Sequence, residues 1–374
     1  MMKMFRSSRC RYSRRQVGFL TLLTSAALIL YYVNSTEVSD IWTEIDWMMK
    51  ITFTTETAAS NGYLIASALQ GKQCQPETTY LVAYPCKYHY ILNESERCQN
   101  EKPFLVLMVP VAPNNRESRD AVRTTWGSEK MVMDKVVSLF FLLGQPGHEG
   151  REEMQQKILQ ESEEHHDIIQ SDFLDSYKNL TIKTMVIMEW LATYCQNAAY
   201  AMKIDSDMFL NVNSLINMLL RAPRKNYMTG LVAKRAAVSR DPSSKWYLPK
   251  DVFPADFYPP YALGLGYVIS LDLSNKLIEG AKHVKAVYIE DVFLGMCMWY
   301  LGIPFTTQTD YSLFNGFSVS YSRCRYSKLI VATTQSLQDQ VNFWKELKKP
   351  GPHCQPWMRA INYLWSLYIQ IKDQ

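Results

Sequence analysis

The chain has 374 residues, 47% of them hydrophobic and 13% aromatic, which excludes a disordered or fibrous protein. Its net charge of +4 comes from the N-terminus, because residues 1–16 carry six basic side chains and no acidic one. In the rest of the chain, 34 of the 40 basic residues stand against 36 acidic ones. Since binding to a phosphate backbone needs a sustained positive surface, we expect no nucleic-acid partner.

The segment 17–33 is apolar and carries no charge. As a helix with a rise of about 1.5 Å per residue it would be about 25 Å long, short but sufficient to span a membrane. Basic residues precede it and acidic residues follow, so the positive-inside rule predicts a cytosolic tail at 1–16, a signal-anchor at 17–33 and a lumenal remainder. A cleaved signal peptide is the alternative, but the run is long for one and no small-residue cleavage site follows it.

The lumenal part divides into a stem at 34–100, which lacks a clear periodicity, and a folded domain at 101–374. Seven cysteines are scattered over it without the CxxC spacing of zinc sites, so we expect disulfides. Because seven is odd, at least one cysteine is unpaired or pairs between chains. Glycosylation sequons stand at Asn34, Asn93 and Asn179, and Asn34 lies too close to the membrane to be used.

The folded domain alternates apolar runs with helical patterns. A nearly unbroken apolar run at 104–111 is typical of a strand buried on both faces. Further strands are predicted at 136–143, 168–169 and 199–204, with helices at 117–126, 151–165 and about 181–195. This alternation predicts an α/β fold with a mostly parallel central sheet, whose ligands bind beyond the carboxyl ends of the strands.

Two carboxylates follow the predicted strand at 199–204 directly, in the sequence Asp205-Ser206-Asp207. At a bend, carboxylates two residues apart can turn to the same side and form an all-oxygen site for Mg²⁺ or Mn²⁺. The alternative is a solvated turn, which is what an isolated Asp-x-Asp most often marks. The apolar strands on either side of this turn favour a site that binds a metal and a diphosphate.

A second acidic pair, Glu290-Asp291, lies between apolar residues. Buried carboxylates are costly unless they are paired or used, and desolvation raises the pKa of a carboxyl group toward the range of a general base. The alternative is a pair of acids in the first turn of a helix, which is common.

Two weaker patterns complete the set. Gly264 and Gly266 indicate a close approach of the backbone, either to a ligand or to another strand. Arg119 and Arg123 lie four residues apart on one face of a predicted helix. They follow the first strand, where a diphosphate would lie, although two such arginines can also form a solvated face.

In this order, the motifs of residues 88–354 resemble those of the β-1,3-galactosyltransferases, which are membrane enzymes of the Golgi in glycosyltransferase family 31. The resemblance is carried by RDAVRTTWG, FLLGQ, DFLDSYKNLTIKT, KIDSDMFLN, SKWYLP, YALGLGYVIS, EDVFLG and YSRCRY. It implies the A-type glycosyltransferase fold for the catalytic domain, behind the transmembrane helix and stem. It also implies Mn²⁺ as cofactor, UDP-galactose as donor, and a glycan with a terminal GlcNAc or another hexosamine as acceptor.

The resemblance assigns roles to individual residues. Asp205 and Asp207 would hold the metal, with Asp207 in direct contact, and Asp291 would act as the base of an inverting displacement. The remaining assignments are Arg119, Arg123, Asp205, Ser206 and Asp207 to donor binding, Trp246, Tyr247, Gly264, Gly266 and Glu290 to acceptor binding, and Asn93 and Asn179 to N-glycosylation.

Two positions depart from the family pattern. Ala262 stands where family members commonly carry a cysteine, which leaves a partner cysteine free. Thr333 aligns with a histidine that usually completes the metal shell, and a hydroxyl is a poorer ligand for Mn²⁺. We therefore keep two alternatives: N-acetylglucosaminyl transfer within the same family, and a non-catalytic lumenal homologue that binds glycans.

Overall fold

The computed structural model describes residues 75–147, 150–306 and 313–354. The predicted cytosolic tail, the signal-anchor at 17–33 and the sequon at Asn34 lie outside these residues. Within them, no helix combines the length and the apolar character that crossing a membrane requires.

The apolar runs form the centre of an eight-stranded sheet in the order β1-β5-β4-β2-β6-β9-β8, with β3 paired to β4. The strands are β1 Tyr90–Leu92, β2 Leu105–Pro110, β3 Met131–Val132, β4 Lys135–Gln145, β5 Ile168–Leu174, β6 Tyr200–Ile204, β7 Met208–Leu210, β8 Met228–Ala233, β9 Tyr261–Ser270, β10 Phe314–Asn315 and β11 Val331–Thr333. The central strands β5, β4, β2 and β6 are parallel, while β1 and β9 pair antiparallel with their neighbours. The mixed α/β fold with a central sheet is thus confirmed.

Helices cover the sheet, since strands buried on both faces need apolar partners on each. They are α1 Arg97–Glu101, α2 Arg116–Thr124, α3 Arg151–His165, α4 Leu180–Tyr194, α5 Val212–Leu219, α6 Asp272–Ala281, α7 Glu290–Tyr300, α8 Arg323–Tyr326 and α9 Leu337–Lys348. Short 3₁₀ helices lie at Trp126–Ser128 and Tyr177–Asn179. Most of α4 is buried, which explains why its sequence is apolar nearly all round.

A small second sheet, β10-β11-β7, lies beside the carboxyl end of β6. Its strand β11 is antiparallel to β7 and places Thr333 opposite Met208, the residue that follows Asp207. The position aligned with the family histidine therefore lies next to the Asp205–Asp207 turn.

Residues 75–100, which the sequence assigns to the stem, pack onto the folded domain. Strand β1 pairs with β5, and Cys98 forms a disulfide with Cys195 across 97 residues. A second disulfide joins Cys324 and Cys354, and Cys86 is disulfide-bonded as well. Cys297 is free and buried in α7, the helix that packs on the strand of Ala262. The expected disulfides and the expected unpaired cysteine are confirmed.

Candidate active site

The Asp205–Asp207 turn begins where β6 leaves the sheet. The backbone N–H of Asp205 still donates to the carbonyl of Leu265 in β9, at 3.2 Å, and Met208 N donates to Asp205 O at 3.2 Å. The buried indole of Trp126 donates to Met208 O at 3.0 Å from the other side. The turn is therefore fixed at the carboxyl end of the strand, where open α/β sheets bind ligands.

The two carboxylates of this turn differ in their partners. Asp205 Oδ1 accepts a hydrogen bond from Lys203 Nζ at 2.7 Å, and 41% of its side chain remains exposed. Asp207 is exposed, and its backbone carbonyl accepts a hydrogen bond from Thr334 at 2.8 Å. Partial desolvation and the negative charge of Asp205 raise the pKa of the Asp207 carboxyl above its usual range. The turn thus concentrates negative charge at the surface.

Helix α7 brings the second acidic pair to the same place. Glu290 is its first residue and is buried, with Oε1 accepting from the hydroxyl of Tyr267 at 2.7 Å and Oε2 lying 3.8 Å from Lys203 Nζ. Burial raises the pKa of Glu290, and the nearby Lys203 charge opposes that rise. Glu290 is therefore a buried support for Lys203, and its assignment to acceptor binding stays a prediction.

Asp291 is half-buried in the first turn of α7. Its Oδ2 accepts the backbone N–H of Gly264 at 3.1 Å, and its Oδ1 accepts that of Val292 at 2.9 Å. Burial raises the pKa of Asp291, and the hydrogen bond from Gly264 and the charge of Lys203 oppose it. A fixed carboxylate with a raised pKa has the properties of a general base. The alternative from sequence, acids in a first helical turn, describes the position of this pair and is compatible with that role.

The two glycines of β9 turn out to serve different contacts. A side chain at Gly264 would meet Glu290 Oε2 at 3.1 Å and Asp291 Oδ2 at 3.7 Å. A side chain at Gly266 would meet Met202 and Ile204 of the neighbouring β6. Gly264 therefore makes room for the acidic pair, whereas Gly266 makes room for a strand.

The predicted aromatic residues lie on one side of the acidic pair. Trp246 is 52% exposed, and Lys245 Nζ lies 4.5 Å from its ring centre. Tyr247 instead packs edge-on against Tyr80, with ring centres 5.5 Å apart. Of the two, Trp246 is the residue available to a ligand.

Arg119 and Arg123 are occupied by protein partners. Arg119 and Glu161 are each only 1% exposed, and Arg119 binds Glu161 with two hydrogen bonds of 2.7 and 2.6 Å. The remaining donors of Arg119 hold the carbonyls of Ala112 and Pro113 in the loop after β2. Arg123 binds Asp167 through Nε and Nη2 at 2.9 and 2.7 Å. Both guanidinium groups are thus bound by protein groups, and the assignment of these two residues to donor binding stays a prediction.

The side-chain amides of the two predicted glycosylation sites make different hydrogen bonds. The side-chain oxygen of Asn93, an exposed residue, accepts from the buried indole of Trp190 at 2.8 Å, an arrangement that does not involve the amide nitrogen. Asn179 Nδ2 donates to Leu174 O at 2.8 Å.

Two residues of the site were given no role by the sequence. Lys203, the first residue of the KIDSDMFLN motif, is buried and joins Asp205 to Glu290. A lysine inside a buried strand is the signal that singles it out. Gln340 is fully buried, and in the amide orientation that satisfies its partners it accepts from Trp126 Nε1 at 2.9 Å and donates to Ser206 O at 3.2 Å. Gln340 lies far from the turn in the sequence, so no local pattern identifies it as part of the site.

The described residues contain no group of three or more His, Cys, Asp or Glu side chains that could hold a metal ion. Asp205 and Asp207 are the two oxygen donors at the turn. Thr333 lies beside them in β11, with its hydroxyl 3.4 Å from the carbonyl of Asn315.

Comparisons with known proteins identify the family of this chain. The family model described as "Galactosyltransferase" matches residues 117–309. Human "Beta-1,3-galactosyltransferase 2" is 41% identical over 275 residues, which cover 71% of this chain and 64% of that protein. Mouse "Beta-1,3-galactosyltransferase 1" is 38% identical over 267 residues, covering 70% of this chain and 79% of that protein. The chain therefore matches somewhat less than two thirds of the length of the first of these relatives.

Solved structures match only distantly. A galactosyltransferase, LgtC, in complex with donor and acceptor sugar analogs aligns with a TM-score of 0.32 and 11% identity, covering 66% of this chain and 97% of that one. A likeness this weak has no bearing on function. The family model spans half of the chain, including the residues of both acidic pairs, and the curated relatives are 38% to 41% identical to it. On these grounds, the chain belongs to the galactosyltransferase family.

Proposed function

We propose that this protein is a β-1,3-galactosyltransferase that moves galactose from UDP-galactose to the 3-hydroxyl of a terminal N-acetylhexosamine, with inversion at the transferred carbon. The observation that carries the proposal is the meeting of two acidic pairs from distant parts of the chain. Lys203 binds Asp205 of the turn and faces Glu290 of α7, so the exposed carboxylates and the candidate base lie around one ammonium group. A single displacement needs this combination of a base and a site for the leaving diphosphate.

Asp291 is the base in this proposal. Its carboxylate removes the proton of the attacking hydroxyl as the bond to the sugar forms. The backbone N–H of Gly264 holds the carboxylate in one orientation, and partial burial keeps its pKa above that of a free aspartate. Both features favour proton transfer at a fixed position.

The turn fits a hard divalent cation. Asp205 and Asp207 supply carboxylate oxygens. Partial burial, followed by the negative charge of Asp205, raises the pKa of Asp207, and a bound cation would oppose both effects by stabilising the charged carboxylate. Two protein carboxylates, with the rest of the shell from water and substrate phosphates, is an arrangement that Mg²⁺ and similar hard ions accept. We therefore propose Mn²⁺ as the cofactor, held by Asp205 and Asp207. When bound, such an ion stabilises the negative charge that develops on the leaving diphosphate.

A cavity of about 440 Å³ beyond the carboxyl ends of β2 and β4 has room for the nucleoside of the donor. Ala112 and Pro113, whose carbonyls Arg119 holds, are among its lining residues. In this proposal Arg119 shapes the nucleoside site through that loop.

We further propose that the domain has the A-type glycosyltransferase fold and acts in the Golgi lumen behind a single type II membrane anchor. The support is the order of the charged tail, apolar segment 17–33 and acid-rich flank in the sequence. The disulfides agree with an oxidising compartment.

The test is an assay of the full-length chain in detergent, with UDP-galactose and an aryl β-glycoside of GlcNAc, in Mn²⁺ and in EDTA. UDP-N-acetylglucosamine is offered in parallel. Metal-dependent transfer of galactose is the expected result. Transfer from UDP-N-acetylglucosamine alone would replace the donor in the proposal. A folded protein that transfers neither sugar and does not bind UDP with Mn²⁺ would be a non-catalytic homologue.

A further inference from the structure

Tyr177 is an exposed aromatic residue on a firmly held segment. It begins the 3₁₀ helix after β5, and 48% of its surface is exposed. The next residue, Lys178, lies with its ammonium 4.4 Å from the ring centre of Tyr288 and donates to Thr79 O at 3.3 Å. Because its neighbours are fixed in this way, Tyr177 presents its ring at a defined place.

The same buried tyrosine holds the segment of Trp246. The hydroxyl of Tyr288 lies 2.9 Å from Lys245 O and 3.0 Å from Tyr247 O, the carbonyls on either side of Trp246. Lys245 Nζ lies 4.5 Å from the Trp246 ring and 5.9 Å from the Tyr177 ring, so the two exposed rings are neighbours. Tyr288 precedes Asp291 by three residues. One buried ring thus ties both aromatic segments to the start of α7, where the base lies.

Tyr177 keeps its hydroxyl proton. Burial and the negative charges of Asp291 and Asp205 raise the pKa of Tyr177 above its usual value. The hydroxyl next to Trp246 is therefore available as a hydrogen-bond donor.

We propose that Tyr177 is a specificity-determining residue, whose hydroxyl donates a hydrogen bond to the carbonyl oxygen of the acceptor's 2-acetamido group. This inference rests on the proposed function. In an N-acetylhexosamine, the acetamido group stands on the carbon next to the one whose hydroxyl Asp291 would deprotonate, so a donor on a segment that Tyr288 ties to the start of α7 can recognise it. The exposed face of Trp246 supplies an apolar surface for the sugar ring.

The experiment compares two acceptors in the full-length chain and in Tyr177→Phe, which removes only the hydroxyl. The acceptors are aryl β-glycosides of GlcNAc and of glucose, which differ in the acetamido group. We expect kcat/KM for the GlcNAc glycoside to fall roughly tenfold, mainly through KM, with little change for the glucoside. UDP binding in Mn²⁺ should not change. Tyr300→Phe, at the far end of α7 and stacked on His283, is the matched control and should behave as the unaltered chain.

An equal loss with both glycosides would show a merely structural role for Tyr177 and overturn the proposal, as would an unchanged preference for GlcNAc. If the unaltered chain transfers to neither acceptor, the proposed function has failed and binding decides the inference alone. Saturation-transfer NMR with UDP and each glycoside then replaces turnover. Preferential binding of the GlcNAc glycoside that Tyr177→Phe abolishes would support the inference, and absence of that preference would overturn it.

Discussion

The protein contains two clusters of charged side chains, which differ in how far their positive and negative charges balance. In the first, Arg119 and Arg123 meet Glu161 and Asp167 in a closed network. Burial would raise the pKa of Glu161, but the hydrogen bonds and charges of the two arginines lower it below its usual range. This network satisfies its own charges, as a structural ion-pair network does.

In the second cluster, a single ammonium group, that of Lys203, is surrounded by the carboxylates of both acidic pairs. The pKa of Lys203 is raised although burial would lower it, because Asp205 and Glu290 favour its charged form. The pKa values of Asp207, Glu290 and Asp291 are all raised, with burial as the main cause, and one ammonium group stands against the four carboxylates of the two pairs. Uncompensated charge beside a cleft indicates a functional site, whereas the balanced network indicates a contribution to stability.

The largest expected effect comes from removing the base. Asp291→Asn keeps an oxygen to accept the Gly264 N–H but cannot take up a proton, so turnover should fall about 10³-fold. UDP binding in Mn²⁺ should be retained, which calorimetry can check. Glu290→Gln is the matched control, since it keeps the acceptor for Tyr267 and should lose much less activity. Near-normal turnover of Asp291→Asn would exclude this residue as the base.

Substitutions in the ion-pair network of Arg119 and Arg123 should change the stability of the protein. Arg119→Met leaves the buried Glu161 with a weakened set of partners and should lower the free energy of unfolding by about 3 kcal/mol. Urea denaturation measures this loss, and the double variant Arg119→Met/Glu161→Met should recover part of it. Because Arg119 also holds the loop that lines the proposed nucleoside site, UDP affinity should fall together with stability. A large loss of UDP affinity without a loss of stability would instead indicate direct donor contact by Arg119.

Removing the exposed carboxylate of Asp207 tests whether the negative charge of the turn holds a metal ion. Asp207→Ala should weaken UDP binding in Mn²⁺ by roughly a hundredfold, because a metal contact worth a few kcal/mol is lost. In EDTA the unaltered chain and the variant should bind UDP equally weakly. Asp241→Ala, at an exposed turn where Asp241 binds Ser243, is the control. If Mn²⁺ strengthens UDP binding to the same degree with and without Asp207, this carboxylate does not hold the metal.

The raised pKa of Asp291 sets the pH dependence. The base works when deprotonated, so kcat at saturating donor and Mn²⁺ should rise with pH through this pKa and then level off. Because the pKa is raised, the acid limb should lie at higher pH than for a free aspartate, with about a tenfold loss per pH unit below it. Lys203→Met removes a charge that lowers this pKa, so it should move the limb to still higher pH. If kcat instead falls at the pH expected for an ordinary aspartate, the environment described for Asp291 is wrong.

The sequence predicts those parts of the site that local pattern determines. Apolar runs mark the central strands, and Asp205, Asp207 and Asp291 stand in motifs beside them. The acidic partners of Arg119 and Arg123, Glu161 and Asp167, lie more than 40 residues away in the sequence, so the local pattern does not reveal these ion pairs. Long-range contacts of this kind also bring Tyr177 to Trp246. Strand β1 lies in the segment that the sequence assigns to the stem, and its partner β5 is distant in the sequence, so local pattern does not predict their pairing.

The smallest expected effect separates the two glycines of β9. Gly264→Ala would press a methyl group against Glu290 Oε2, 3.1 Å from the new carbon, and the displaced acidic pair should lower turnover roughly fivefold without weakening UDP binding. Gly266→Ala is the matched variant, because its new methyl would meet Met202 and Ile204 of β6. It should lower stability and leave turnover of the folded protein near normal. Equal losses of turnover in the two variants would show that the absence of a side chain at Gly264 is not needed to position Glu290 and Asp291. The carboxylates around Lys203 could then shift without loss of activity.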